Sequence, residues 1–156
     1  MDVNLSHYRE GIMGKGFVAM VVGVLVATGA VGGAGTTGKS LYERLGGKDA
    51  ITAVVETFVA NVGADKRING FFASTDLAKL KRHLVNQICE ASGGPCKYTG
   101  RTMKHTHAGM GISNADFNAL VEDLIAALEH HQVKKSEKEE LLGVLGSMRS
   151  DIVEKK

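Results

Sequence analysis

Aromatic side chains are scarce in this 156-residue sequence, with five Phe, three Tyr and no Trp, 5% of the chain. That scarcity argues against a stacking platform for nucleic-acid bases. Charge of one sign is lacking too. Lys and Arg number 19 and Asp and Glu 17, a net of +2, far short of the basic stripe that phosphate backbones demand. Nucleic acid is therefore excluded as a partner. The single proline, Pro95, rules out a collagen-like chain. Two cysteines, Cys89 and Cys96, are too few for a disulfide scaffold and lack the companions of a zinc site. Period-two runs of Val, Ile and Thr are absent after residue 40, so no strand is expected there. What is present is ordinary globular composition, 44% hydrophobic and 23% charged, in a length that suits one domain and a tail.

The tail is residues 1–37. Its charges, Asp2, Arg9, Glu10 and Lys15, cancel, and no charged residue occurs from Phe17 to Gly38. Phe17–Val26 reads FVAMVVGVLV and is followed by the small-residue stretch ATGAVGGAGTT. A basic start, an apolar run and small residues resemble a secretory signal peptide cleaved near Ala34 or Gly35. The same run approaches the ~20 residues of a membrane span, so an uncleaved anchor is the competing reading. Both predict an exported (periplasmic) or membrane-anchored protein. In an oxidising compartment Cys89 and Cys96 can pair only if a helix ends between them. On a continuous helix they would stand about 10 Å apart. Gly93-Gly94-Pro95 supplies such an end.

Residues 38–156 read as an all-α domain. Ser40 caps a short helix, LYERL, stopped by Gly46-Gly47. Ile51, Val54, Val55, Phe58, Val59 and Val62 recur at helical spacing in 49–62. Thr75-Asp76 opens a helix whose stripe is Leu77, Leu80, Leu84 and Ile88, ended by GGP at 93–95. Residues 114–131 repeat the pattern with Phe117, Leu120, Val121, Leu124 and Leu128. A capping box of Ser136 and Glu139 starts a last helix expected to run to Val153. Between Gly93 and Ile112 the chain is Gly-rich and too short for two good helices. A loop of that length is usually functional or held by what it binds.

Six histidines frame the chemistry. His7 lies in the tail, and His130-His131 ends a helix, where a solvated imidazole is favoured. His105 and His107 are two residues apart and point to nearly opposite sides of a helix, so they cannot chelate one ion. His107 instead shares a face with Met103 and Met110, a setting for a single buried imidazole. A core histidine bonded to a carbonyl and a metal ligand both fit that pattern. His83 sits at the edge of an apolar stripe with Gln87 one turn on, either a solvated boundary residue or a group facing a pocket. Two histidines across an apolar gap suit heme better than zinc, which wants three or four ligands. Leu80, Leu84, Ile88, Phe117 and Leu145 can form the slot for such a macrocycle. Lys81, Arg82, Lys97, Tyr98 and Arg101 are candidates for its propionates.

From Ser40 to Val153 the chain resembles the group I truncated hemoglobins, small heme proteins with a two-over-two helical sandwich. The shared pieces are SLYERLGG at 40–47, Phe71-Phe72 with Asp76, GGP at 93–95, YTGR at 98–101, Met103, His107, GMGI at 109–112 and Phe117. The resemblance implies that His107 is the proximal iron ligand and that Phe72 packs on the heme face. It implies further that Phe58, Met103, Ile112 and Phe117 line the pocket of a heme b. On the distal side the chain departs from the family pattern. Val59 stands where many members have Tyr, and Leu80 and Leu84 where they have Gln. Losing those donors should cost bound dioxygen roughly 1–3 kcal/mol. His83 matches a histidine that ligates iron in some members. A covalent heme link through a last-helix histidine should be absent, since no histidine follows His131.

The expected function is binding of a diatomic gas (O2, NO or CO) at iron held by His107, with oxidation of nitric oxide to nitrate as an associated activity that needs a reductase. The alternative is an electron-transfer protein with His107 and His83 both on iron.

Overall fold

The capping box at Ser40 is where the computed structural model, which describes residues 38–155, first becomes regular. The Ser40 hydroxyl accepts from Glu43 N–H while the Glu43 carboxylate accepts from Ser40 N–H, starting α1 (Leu41–Arg44). Helix α2 (Gly47–Ala64) buries Ile51, Val54, Val55, Phe58, Val59 and Val62. A 3-10 turn at Asn69–Phe72 leads to α3 (Leu77–Ala91), capped by Asp76, whose side chain accepts from Lys79 N–H. Irregular chain then reaches the one-turn α4 (Met103–His107). Helix α5 (Asn114–His130) has its own capping box, Ser113 with Asp116. Helices α6 (Lys135–Gly146) and α7 (Arg149–Ile152) follow.

Helix α2 packs on α3 and on α5, α5 on α6, and α1 joins α2 to α6. This is the two-over-two sandwich, with α2 and α3 as one pair and α5 and α6 as the other. Its core runs from Val55 through Leu128 to Leu141, all but inaccessible. Among the described residues there is no strand, only a single parallel bridge between Ser113 and Lys155. Also among them, no helix is long and apolar enough to cross a membrane. The signal-like or anchor segment, residues 1–37, lies outside the described residues.

Helix α3 ends at Ala91, before Gly93, which is the break that pairing of the cysteines needs. Cys89 and Cys96 form a disulfide, their Cα atoms 5.7 Å apart. Gly94 makes the turn possible: a Cβ there would meet the Tyr42 ring at 2.5 Å and Cys89 Sγ at 2.7 Å.

Four local expectations need correction. The last helix starts at Lys135 without a side-chain cap, and Ser136 Oγ bonds to Glu137 instead of forming a box with Glu139. That helix also breaks after Gly146, a poor helix former, so 135–152 is two pieces. Leu77, placed on the buried stripe, is 47% exposed because it is the first helical residue and projects beyond the core. His131 is not simply solvated either: its Nε2 lies 2.8 Å from Thr57 Oγ1, tying the end of α5 to α2.

Candidate functional site

A cavity of about 570 Å3 opens between the two helix pairs, within the size range of ligand pockets. Phe58, Val59 and Val62 from α2 form its back, with Phe72 beside them. One wall is the Leu80, His83, Leu84, Gln87 and Ile88 face of α3. The opposite side is Met103, Thr106 and His107 of α4 with Phe117, Leu120 and Leu124 of α5. Leu142, Leu145 and Met148 close the third side. The walls are overwhelmingly hydrocarbon, as a large apolar group requires.

His107 is half-buried, and its Nδ1 lies 2.8 Å from the Met103 carbonyl oxygen. A carbonyl only accepts, so Nδ1 carries the proton and Nε2 is the nitrogen left with a lone pair. A hydrogen bond of this kind orients an imidazole for metal ligation and raises its basicity. Both sequence readings of His107 therefore meet: the carbonyl bond exists and the ring still faces a cavity. His105 is exposed, on the other side of the turn. Across the cavity, His83 Nδ1 is buried with no hydrogen-bond partner among the described residues. The His83 ring meets the Tyr98 ring edge-on, centroids 5.9 Å apart. Tyr98 donates its hydroxyl to the Arg101 carbonyl at 2.8 Å, and burial pushes its phenol pKa up. Gln87 Nε2 points at two thioethers, Met103 Sδ at 3.5 Å and Met148 Sδ at 3.3 Å.

Of the residues expected at the cofactor, Phe58, Phe72, Leu80, His83, Leu84, Tyr98, Met103, His107, Phe117 and Leu145 line the cavity. Ile112 does not. It is buried elsewhere, because the chain turns away from the cavity at Gly109 and Gly111, and its carbonyl accepts from Glu154 and Lys155 N–H. Lys81 does not line it either, being paired with Glu56 on α2. Arg82 and Lys97 are likewise absent from the lining, and Lys97 pairs with Glu90. Lys79 takes the rim position on α3 instead, with Arg101 opposite in the loop. The reason is helical register: Lys79 stands one turn before His83 on the same face, whereas Lys81 is rotated away by two residues. Gln87, read in sequence one turn beyond His83, lines the cavity with it, whereas Thr106 and Met148 carried no signal in sequence because their place there depends on how α4 and the start of α7 meet the other helices.

Beyond His107 the backbone is held by a distant carboxylate. Glu154 accepts from Gly109 N–H at 2.7 Å through one oxygen and from Gly111 N–H at 2.6 Å through the other. These amides, Gly109 first, hold the Glu154 carboxyl below the usual carboxylate range.

The comparisons with known proteins agree with this geometry. The bacterial-like globin family matches residues 40–154. A group 1 truncated hemoglobin of Mycolicibacterium paratuberculosis is 37% identical over 113 residues, covering 72% of this chain and 83% of that protein. One from Tetrahymena pyriformis is 33% identical over 117 residues, covering 75% and 97%. The chain belongs to the group 1 truncated hemoglobins. The crystal structure of the Tetrahymena pyriformis truncated hemoglobin in its Fe(III) form aligns with TM-score 0.72 and 33% identity, over 75% of this chain and all (100%) of that one. The cyanomet 2/2 hemoglobin of a Synechococcus species, with covalently attached heme, aligns at 0.70 with 35% identity, over 74% and 98%. This truncated hemoglobin is thus a heme-based gas-binding globin. The residues present fit the group: an apolar slot, an imidazole with its Nε2 unengaged on one side, and an orphaned imidazole nitrogen on the other.

Proposed function

We propose that this truncated hemoglobin holds heme b through His107 Nε2 and binds a diatomic gas on the face lined by Val59, Leu80 and Leu84. The observation that carries the reading is the His107 ring, oriented by the Met103 carbonyl at the wall of a largely apolar cavity. Heme b supplies a ferrous iron for the gas and, where O2 and NO meet there, the one electron that completes nitrate, to be restored by a reductase partner. The chain itself supplies the rest. Met103 holds the His107 proton on Nδ1, Phe58, Phe72 and Phe117 exclude water, and Lys79 and Arg101 offer cations at the rim for the propionates. His107→Gly should release heme and regain its visible spectrum on addition of imidazole. A wild-type spectrum in that variant without imidazole overturns the assignment. Nitrate formed in proportion to NO added to the O2-loaded protein tests the oxidation, and its absence leaves gas binding alone.

A second reading rests on His83, whose buried Nδ1 lacks a partner beside the cavity. With His83 and His107 both on iron the protein would pass electrons and need no distal donor. The ferrous, ligand-free spectrum decides between them: a broad single visible band marks five ligands, a split pair marks six. His83→Leu should convert six- to five-coordinate iron and speed CO binding if this reading holds, and change neither if His83 stays at the rim.

Residues 1–37 are proposed to export or anchor the domain, an assignment supported by their neutral apolar run and by the Cys89–Cys96 disulfide, a bond typical of oxidising compartments. Fractionation should find the protein exported or at a membrane. A soluble, unprocessed cytoplasmic product would refute it.

A further inference from the structure

The helix that carries His107 is five residues long and buries none of them. One turn closes too few hydrogen bonds to hold itself, so its position must be imposed from outside. At its start, Thr102 Oγ1 accepts from His105 N–H at 3.3 Å. At its end, Gly109 and Gly111 take φ values of 79° and 65°, a conformation that turns their N–H groups toward one point. Both oxygens of Glu154 occupy that point. The grip is two-way, since the Ile112 carbonyl accepts from Glu154 N–H at 2.9 Å and from Lys155 N–H at 3.0 Å.

Glu154 is in turn anchored to the solid part of the molecule. It follows α7, where Arg149 donates to Asn114 Oδ1 at 2.7 Å and to Asn118 Oδ1 at 3.0 Å on α5. The Arg149 guanidinium also lies 4.7 Å from the centre of the Phe117 ring, itself a wall of the cavity. Mechanical support therefore runs from buried α5 through Arg149 and α7 to the turn two residues beyond His107.

We propose that Glu154 is a positioning residue for the proximal ligand. By fixing Gly109 and Gly111 it sets where the His107 ring stands relative to the cavity, and with it the strength of the iron–histidine bond. The proposal rests on His107 being the iron ligand. It goes beyond that reading by giving a residue beyond α7, near the end of the described chain, control over the bond.

The test uses the full-length heme-loaded protein. Glu154→Ala should shift or broaden the iron–histidine stretching band in the resonance Raman spectrum of the ferrous form. It should also speed heme transfer to an apo-globin acceptor by about tenfold, the loss of a hydrogen bond to a charged group. Glu154→Gln keeps the shape and one acceptor oxygen, so both readouts should fall between wild type and Ala. Arg149→Ala, which frees α7 from α5, should shift the band in the same direction. An unshifted band in Glu154→Ala overturns the proposal, whether heme loss and melting temperature change or not, because a merely structural tie would alter stability alone. A wild-type protein without any iron–histidine band would instead overturn the assignment of His107.

Discussion

The two walls that face each other across the cavity are built in opposite ways. Helix α3 runs 15 residues, buries Val85, Ile88 and Cys89 against α2, and is closed by the disulfide just past its end. Helix α4 has five residues and no buried side chain, with a cap at its start and the Glu154 carboxylate on the turn beyond its end. The α3 wall is thus rigid by packing and the α4 wall by tethers. Packing resists every displacement, because interiors are dense, whereas a tether fixes one direction and can be tuned singly. A metal–ligand bond sensitive to small displacements is well served by the second kind of wall.

Removing the bridge is the strongest blow to the packed wall. Cys96→Ser should lower domain stability by about 2–3 kcal/mol, since the bonded residues are only 7 apart in sequence. Wild type in reductant should melt at the same temperature as the variant, and an unchanged melting temperature in both would mean that packing alone holds α3. Next comes the chemistry of that wall. Leu84→Gln puts an amide donor into the cavity at nearly constant volume, and O2 dissociation should slow by roughly 30-fold, about 2 kcal/mol, with CO little affected. Stopped-flow release rates measure it. A smaller pair of changes addresses the contrast directly. Thr102→Ala and Asp76→Ala each delete a helix cap worth about 1 kcal/mol. The first should hasten heme loss with little effect on the melting temperature, while the second should lower the melting temperature with little effect on heme loss. Equal behaviour of the two would erase the distinction.

The smallest effect concerns charge at the end of the packed half. Asp123 Oδ2 is buried without a partner among the described residues, and burial, then Asp65, raises its pKa above the usual carboxylate range. A raised carboxyl weakens the fold while it is ionised, so Asp123→Asn should raise the melting temperature slightly at neutral pH. The gain should fade in acid, where wild-type Asp123 takes up its proton. Glu43, Asp116 and Glu154 behave the other way, lowered chiefly by hydrogen bonds from Ser40, Ser113 and Gly109 respectively. Their contribution is present above pH about 4 and is lost as the pH falls through their lowered values. Thermal melts of the two proteins between pH 3 and pH 7 (roughly the span of these groups) separate the opposing signs.

How much of this was legible in sequence follows the same division. Helix starts at Ser40 and Asp76, the stripe of α2 and, Leu77 apart, the apolar face of α3 are local patterns, and they hold. His107 is ambiguous by spacing alone, and only the resemblance implies that it is the iron ligand; the structure adds the Met103 carbonyl bond at the cavity wall. The break after Gly146 was missed because the apolar spacing of Leu141, Leu142, Leu145 and Met148 continues across it. Lys81 is a rim candidate by its neighbours in sequence, but helical angle puts Lys79 at the cavity. Glu154 left no trace. Its partners are backbone amides, which carry no residue identity, and they lie 43 and 45 positions away.

The turn at residues 92–94 has a consequence for the life of the disulfide. Gly94 N–H donates to the Cys89 carbonyl at 2.7 Å, and Tyr42 N–H to the Ser92 carbonyl at 2.8 Å, so the turn is stapled to α1 and α3 without help from sulfur. After reduction the two thiols would remain neighbours, each at an effective concentration set by a folded turn and not by a loose chain. Re-oxidation then needs an oxidant but no search. The bond is accordingly one that the protein can lose in a brief reducing episode and regain while still folded.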